Sequence, residues 1–288
     1  MAKRIEKDLR VPIVHTYHTV YEDYTHYFSP SKKAGKKFVA VATKNFSRLC
    51  TRLISPTVKT ENILLAYGID KDMIDVIPTG IKIPELFDRD ILRKSLGMAE
   101  DEKAIVYLGR LGEEKNIEDL MDYYERLKDE SIMLYIVGGG PYLKKLKAHA
   151  EALKKTPIFT GMVDSKLVDR YYQAADIFST ASTSETQGLT YDEALANGTP
   201  VLARDDSVLD GVVIDNFNGY RYKNFEEFED FVTRVFADKD FKDRLSQNAR
   251  THARENFSIR SFALSCQDSY KKAMKEYKYE SINIFKRL

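Results

Sequence analysis

The chain has 288 residues, enough for two domains of ordinary size. Hydrophobic residues make up 43%, and Lys plus Arg (45) nearly cancel Asp plus Glu (44), so a sizeable core can form and the net charge of +1 gives no general reason to bind nucleic acid. There is no signal-peptide pattern and no apolar run near the roughly 18 residues of a membrane span, and Cys50 and Cys266 lie far apart without metal-ligand spacing, which fits a reducing cytoplasm.

Residues 1–10 read as a short basic helix and residues 11–14 as a strand. That strand runs directly into a cluster of His, Thr, Tyr, Glu and Asp that includes His15, His18, Tyr21, Glu22 and Asp23. The carboxyl ends of strands are where open α/β sheets take ligands. A single histidine is more often structural, so the cluster and its placement carry the argument. Residues 29–60 hold eight Lys or Arg and no Asp or Glu, with Phe38, Val41, Ala42, Phe46, Leu49 and Leu53 at helical spacing. Two readings stand together here: the apolar stripe packs on a sheet, and the basic face of 32–52 lies against an anionic membrane surface. RNA binding would match the charge but lacks interleaved recognition motifs. A strand and turn at 53–57, a helix to Tyr67 closed by Gly68, and a strand at 74–77 ending in Pro78-Thr79-Gly80-Ile81 complete a first domain over 1–86. Residues 87–100 read as a linker.

From residue 101 strands and helices alternate cleanly, which predicts a parallel sheet covered on both faces. Strands are expected at 104–108, 132–137, 157–160 and 177–180, with helices at 117–127, 142–153 and 165–174 between them. The first strand ends in Gly109-Arg110 with Lys115 downstream, a fork and a point charge able to clamp a diphosphate. The second ends in Gly138-Gly139-Gly140-Pro141, a tight turn that lets a ligand approach the backbone. The fourth leads to Glu185, then Gly188-Leu189-Thr190 opening a helix that carries Glu193. Such a helix start offers free N–H groups and partial positive charge to phosphate, and each carboxylate can accept two hydroxyls of a sugar or ribose. A loop glutamate and a solvated helix glutamate are the alternative from spacing alone. Beyond Val201, Asn218-Gly219 reads as a hairpin turn, residues 225–236 and 239–257 as helices, and residues 262–288 as a long amphipathic helix.

These motifs, in this order, resemble retaining GT-B glycosyltransferases of the group that includes sucrose and glycogen synthases and bacterial lipid glycosyltransferases. The quoted stretches are Glu185 and Glu193 with seven residues between, Gly109-Arg110 with Lys115, the triple glycine, and the strand-end His18. Asn116 and Thr79 depart mildly from the family pattern. The resemblance implies an α/β GT-B fold with two Rossmann-like lobes of parallel sheets, the second spanning 101–261 and the last helix returning to the first lobe. It implies diphosphate contacts from Arg110 and Lys115, nucleotide approach at Gly109 and Gly139, and sugar and phosphate contacts from Gly188, Leu189 and Thr190. Glu193 falls to the ribose, Glu185 to the sugar hydroxyls, and His18 faces the donor sugar, with the segment around Gly161-Met162 beside a uracil base. The pattern is nearest to bacterial enzymes that place glucose from UDP-glucose on 1,2-diacylglycerol at the cytoplasmic face of the membrane, with no cofactor or metal. With only about 85 residues and about three strands, at about 30 residues per βαβ unit, the first lobe is expected to be incomplete. Exposed apolar surface and strand edges would then leave the chain poorly soluble or weakly active alone.

Overall fold

The computed structural model describes residues 1–22 and 31–287. They form two compact units, one of residues 1–80 with 259–288 and one of residues 81–258. Asp23, expected near the acceptor, lies outside the described residues, as does the side chain of Lys32.

The first unit opens with helix α1 (Ala2–Leu9), none of whose residues is buried. Three parallel strands follow in spatial order β1 (Val14–Thr16), β2 (Arg52–Ser55), β3 (Ile74–Val76). Helices α2 (Lys32–Ser47) and α3 (Val58–Ala66) supply the crossovers. Each starts where a hydroxyl caps it: Ser31 accepts from the Ala34 amide and Thr57 from the Thr60 amide. Leu53, Leu64 and Ile74 pack on one face of this small sheet, and Ile54, Ile77 and Cys266 on the other. Cys266 belongs to α11 (Ile259–Arg287), which is tied to the sheet edge by ion pairs: Arg52 bonds both Asp75 and Glu276, and Asp75 also accepts from Ser269 and Lys272.

The second unit contains a six-stranded parallel sheet in the order β6-β5-β4-β7-β8-β9. Its strands are β4 (Lys103–Leu108), β5 (Ile132–Val137), β6 (Ile158–Gly161), β7 (Ile177–Thr180), β8 (Val201–Arg204) and β9 (Gly219–Tyr222). Helices α4 (Arg89–Leu96), α5 (Ile117–Arg126), α6 (Leu143–Glu151), α7 (Ser165–Ala174), α8 (Leu189–Ala196), α9 (Phe225–Ala237) and α10 (Lys239–Asn256) belong to this unit. Side chains of β4 alternate between two cores: Val106 and Leu108 join Phe178 and Tyr191 on one face, while Ile105 and Tyr107 join Leu120 and Phe228 on the other. Burial on both faces is why these strands read as unbroken apolar runs.

Three local expectations change. Residues 87–100 hold a helix rather than a plain linker: Asp88 caps α4, and buried Arg93 donates to the Ala174 carbonyl (3.0 Å) and the Asp176 carboxylate (3.0 Å). That network makes 81–100 part of the second unit, whose edges fall at 81 and 258. The first strand sits three residues later than expected, at Val14–Thr16, which places His15 on the strand itself. Asn218-Gly219 does not close a hairpin, because β9 runs parallel to β8. Asn218 is instead buried, accepting from the Ile214 amide and donating to the Val212 carbonyl, and it closes the loop between the two strands. A Cβ on Gly219 would collide with the Val201 carbonyl oxygen, so glycine is needed for the strands to approach. Among the described residues no helix is long and apolar enough to cross a membrane.

Candidate functional site

The strand order creates the crevice. From β4 the chain moves outward through β5 and β6, then returns to place β7 on the other side of β4. All these strands are parallel, so their carboxyl ends share one edge. The loops after β4 and β7 must diverge there, and such reversal points are where doubly wound sheets bind ligands. Gly109, Arg110 and Lys115 follow β4, Gly139 follows β5, and Glu185, Gly188, Leu189, Thr190 and Glu193 follow β7. The sheet therefore delivers all of these to one edge.

Side-chain bonds join the two central loops. Lys115 Nζ donates to Glu185 Oε1 at 2.5 Å, and Ser182 Oγ donates to the same oxygen at 2.9 Å. Ser184 Oγ donates to the Glu114 carbonyl (3.0 Å), and Asn116 Nδ2 to the Ala181 carbonyl (3.3 Å). Asn116 sits in the left-handed region (φ 49°), a conformation that asparagine tolerates better than most residues, which accounts for its use where glycine is common. Arg110 is exposed and pairs with Glu114 rather than Glu185. Tyr107 supports this loop from below, its hydroxyl donating to the Arg110 carbonyl at 3.0 Å. Burial, with Glu185 and Glu114 nearby, holds that phenol above its usual range.

Glycine is required at two points. A Cβ on Gly138 would strike the Gly109 carbonyl oxygen, so only glycine lets the loops after β4 and β5 touch. Gly188 has φ 72° and opens α8 without any side-chain cap, and a Cβ there would meet the Tyr191 ring. Gly139 lies against Met162, and the Gly139 carbonyl accepts from the Leu111 amide (3.0 Å). Thr190 brings its methyl group toward Gly109, while Leu189 is exposed.

Glu193 lies one turn into α8. Its carboxylate accepts from Tyr172 Oη at 3.3 Å. Burial raises its pKa above the ordinary glutamate value, against the opposing pull of the Tyr172 hydrogen bond, and Asp169 adds to the rise. Its neighbour Asp192 was not a candidate, yet it is 1% exposed and accepts from Gln187 Nε2 at 3.1 Å. Burial pushes its pKa up to about 8, against the Gln187 hydrogen bond and with help from Glu193. The available signal was an aspartate between Tyr191 and Ala194, both buried, on a short helix. Tyr172 offered no comparable signal, because its partner is 21 residues away.

His18 belongs to the first unit and is exposed, two residues beyond the end of β1. His15, the weaker candidate, is half-buried edge-on to the Phe46 ring, 4.8 Å between centroids. Burial and the adjacent His18 lower its pKa, so it is neutral near pH 7. Tyr67 Oη donates to Glu22 Oε1 (2.8 Å) and Lys36 pairs with the same carboxylate (2.9 Å), which fixes the residues just after β1. Among the described residues no group of three His, Cys, Asp or Glu side chains is arranged to hold a metal.

The profile described as Glycosyltransferase Family 4 matches residues 1–83, and that described as Glycosyl transferases group 1 matches residues 88–252. The alpha-monoglucosyldiacylglycerol synthase of Streptococcus pneumoniae is 36% identical over 269 residues, covering 89% of this chain and 61% of that protein. The enzyme of the same name from Acholeplasma laidlawii is 31% identical, covering 92% of this chain and 70% of that protein. Among solved structures, Anabaena HepE in complex with UDP and glucose superposes with a TM-score of 0.76 at 18% identity, covering 94% of this chain and 74% of that one. Sucrose-phosphate synthase from Thermosynechococcus elongatus gives 0.75 at 23% identity, covering 94% and 71%. The chain thus spans about two thirds of the length of these relatives. With profiles matched in both units and a doubly wound sheet carrying its polar residues at the reversal of strand order, the chain has the GT-B fold and belongs to the glycosyltransferases of group 1.

Proposed function

We propose that the chain transfers glucose from UDP-glucose to the 3-hydroxyl of 1,2-diacylglycerol, with retention, at the cytoplasmic face of a membrane. The observation that carries this reading is the meeting of Lys115 and Glu185 at the strand reversal: a cation and a carboxylate held together where a sugar diphosphate would lie. Two relatives above 30% identity bear the name of a synthase of monoglucosyldiacylglycerol.

In this reading Arg110, Lys115 and the start of α8 neutralise the leaving diphosphate, without a metal. Glu185 releases Lys115 to the phosphates and accepts hydroxyls of the sugar, and Glu193 accepts those of the ribose. The acceptor oxygen attacks the anomeric carbon on the face from which the diphosphate leaves, the carbon–oxygen bond to phosphate breaks, and the acceptor proton passes to the departing phosphate oxygen. No protein nucleophile is assigned. His18 orients the sugar. The basic face of α2, with Lys33, Lys37 and Arg48, meets the anionic surface, each charge worth about 1 kcal/mol near a bilayer.

Transfer of labelled glucose from UDP-glucose to diacylglycerol in anionic liposomes tests the reading, together with UDP affinity. Arg110→Ala and Glu193→Ala should each weaken UDP binding at least tenfold, about 1.4 kcal/mol. Unchanged affinity in both would remove this site. A second acceptor class is kept by one observation: relatives named D-inositol 3-phosphate glycosyltransferase match at 27–28% identity. UDP binding with transfer to a polyol phosphate, and none to diacylglycerol, would favour it.

A further inference from the structure

Beneath α2 the first unit holds a cavity of about 380 Å3 that the proposed reaction does not yet use. The apolar stripe of α2 does not close fully onto the sheet. Val39 is buried, but Phe38 and Phe46 stay 66% and 45% exposed, and with Ala42 they form one wall of the cavity. Leu53 of β2 and Leu64 of α3 form the floor. His15 of β1 and Tyr17, just after it, form the end nearest His18.

We propose that this cavity takes one acyl chain of the diacylglycerol acceptor. The inference rests on the glycolipid reading above and deepens it by assigning the hydrocarbon part of the acceptor a place. Three observations favour an acyl chain as occupant. The walls are mainly aliphatic and aromatic, with Thr43 and Ser47 adding two hydroxyls and no charge, and the one imidazole among them, His15, is held neutral by burial and by His18, so the cavity presents no fixed charge to hydrocarbon. The helix that roofs it carries Lys33, Lys37, Lys44 and Arg48 and no acidic residue, which suits the anionic lipid surface from which the chain would come. The cavity also ends at the strand that leads to His18, so a lipid seated there keeps its glycerol end beside the residue assigned to the sugar. A chain drawn from a bilayer exchanges one hydrocarbon medium for another, so the cavity selects by fit and by the place it gives the glycerol end rather than by removal of hydrocarbon from water.

The test uses the full chain, a diacylglycerol probe carrying a photoactivatable diazirine in one acyl chain, and vesicles of phosphatidylcholine and phosphatidylglycerol. Ala42→Trp places an indole in the mouth of the cavity at an exposed position, so it spares the core. Val58→Trp, exposed on α3 outside the cavity, is the control. Expected are cross-links mapping to residues 38–47, lost in Ala42→Trp and kept in Val58→Trp. Cross-links unaffected by Ala42→Trp, or none at all, would overturn the proposal. Equal labelling by a phosphatidylcholine probe with the same chains would also overturn it, since the site would then take bulk lipid and not the acceptor. UDP binding, measured by calorimetry on the same proteins, reports separately on the nucleotide site in the second unit. Its loss counts against the proposed reaction, and loss of cross-linking without loss of UDP binding in Ala42→Trp isolates the acyl site.

Discussion

Lys115 and Glu185 show how a single ion pair joins the loops that follow β4 and β7. Each is half-buried, and each satisfies the other at 2.5 Å. In the proposed reaction a diphosphate takes Lys115 from Glu185, and the sugar hydroxyls then replace the lysine on the carboxylate. Asp192 is a different kind of residue. It is nearly inaccessible, one of its oxygens has no hydrogen-bond partner, and its pKa is raised to about 8 by burial. The native state therefore keeps this proton up to about pH 8, whereas an unfolded aspartate loses it near pH 4. Unfolding releases a proton between those values, so stability from this residue is fully present below pH 4 and falls as pH rises to 8. Asp192→Asn cannot ionise and keeps an acceptor for Gln187. It should leave stability unchanged near pH 4 and raise it at pH 8, by up to about 5 kcal/mol for about four pH units at about 1.4 kcal/mol each. Thermal melts of both proteins at pH 5 and pH 8 measure this, and a pH-independent difference would reject it.

At the scale of elements, α11 is held to the small sheet by charge as well as by the apolar contacts of Cys266 and Phe262. Asp75 gathers Arg52, Ser269 and Lys272. Burial would raise its pKa, but these donors and the charge of Arg52 bring it down to about 2. The stabilisation is therefore present above about pH 4 and is lost as pH falls toward 2. Asp75→Asn leaves Arg52 buried with Glu276, itself half-exposed, as its one ionic partner among the described residues. The expected cost is about 2 kcal/mol, less than for a fully buried pair because Glu276 remains and Lys272 is solvated. Limited proteolysis should cut α11 first in this variant; a cleavage pattern and melt identical to the parent would show that the apolar contacts of Cys266 and Phe262 suffice. The loops of the second unit depend instead on close backbone approach. Gly138→Ala forces the loops after β4 and β5 apart, and it should weaken UDP binding by at least tenfold while costing about 1–3 kcal/mol of stability. Parallel calorimetry and melts check both, and full UDP affinity would show the approach to be dispensable.

On the scale of the whole molecule, the two units differ in self-sufficiency. Residues 81–258 form two cores, one on each face of a six-stranded sheet, entirely from their own side chains. The first unit has three strands and two much smaller clusters. Residues 81–258 expressed alone should therefore unfold cooperatively and bind UDP within about threefold of the full chain, as expected when distant parts contribute independently. Circular dichroism melts and calorimetry test this, and an aggregated or non-binding fragment would mean that the first unit supports the nucleotide site.

The sequence by itself determined the alternation of the second unit and the residues at its strand ends. Strands buried on both faces must be continuous apolar runs, so local pattern was enough to place Arg110, Lys115, Gly139, Gly188 and Glu193 at strand ends, and their binding roles came from the family resemblance. Helix starts were equally local, as the capping by Thr57 shows. What only the tertiary structure decided depends on partners far apart in the chain. Lys115 meets Glu185 across 70 positions because β7 returns beside β4, and a sequence states neither strand order nor register. Asn218-Gly219 carries a hairpin signal, but β9 pairs parallel with β8, and buried side-chain bonds override the local turn preference. The apolar stripe of α2 was readable from its spacing. That half of it closes on a sheet while the rest roofs a cavity was not, because spacing records which residues avoid water and not what comes to cover them.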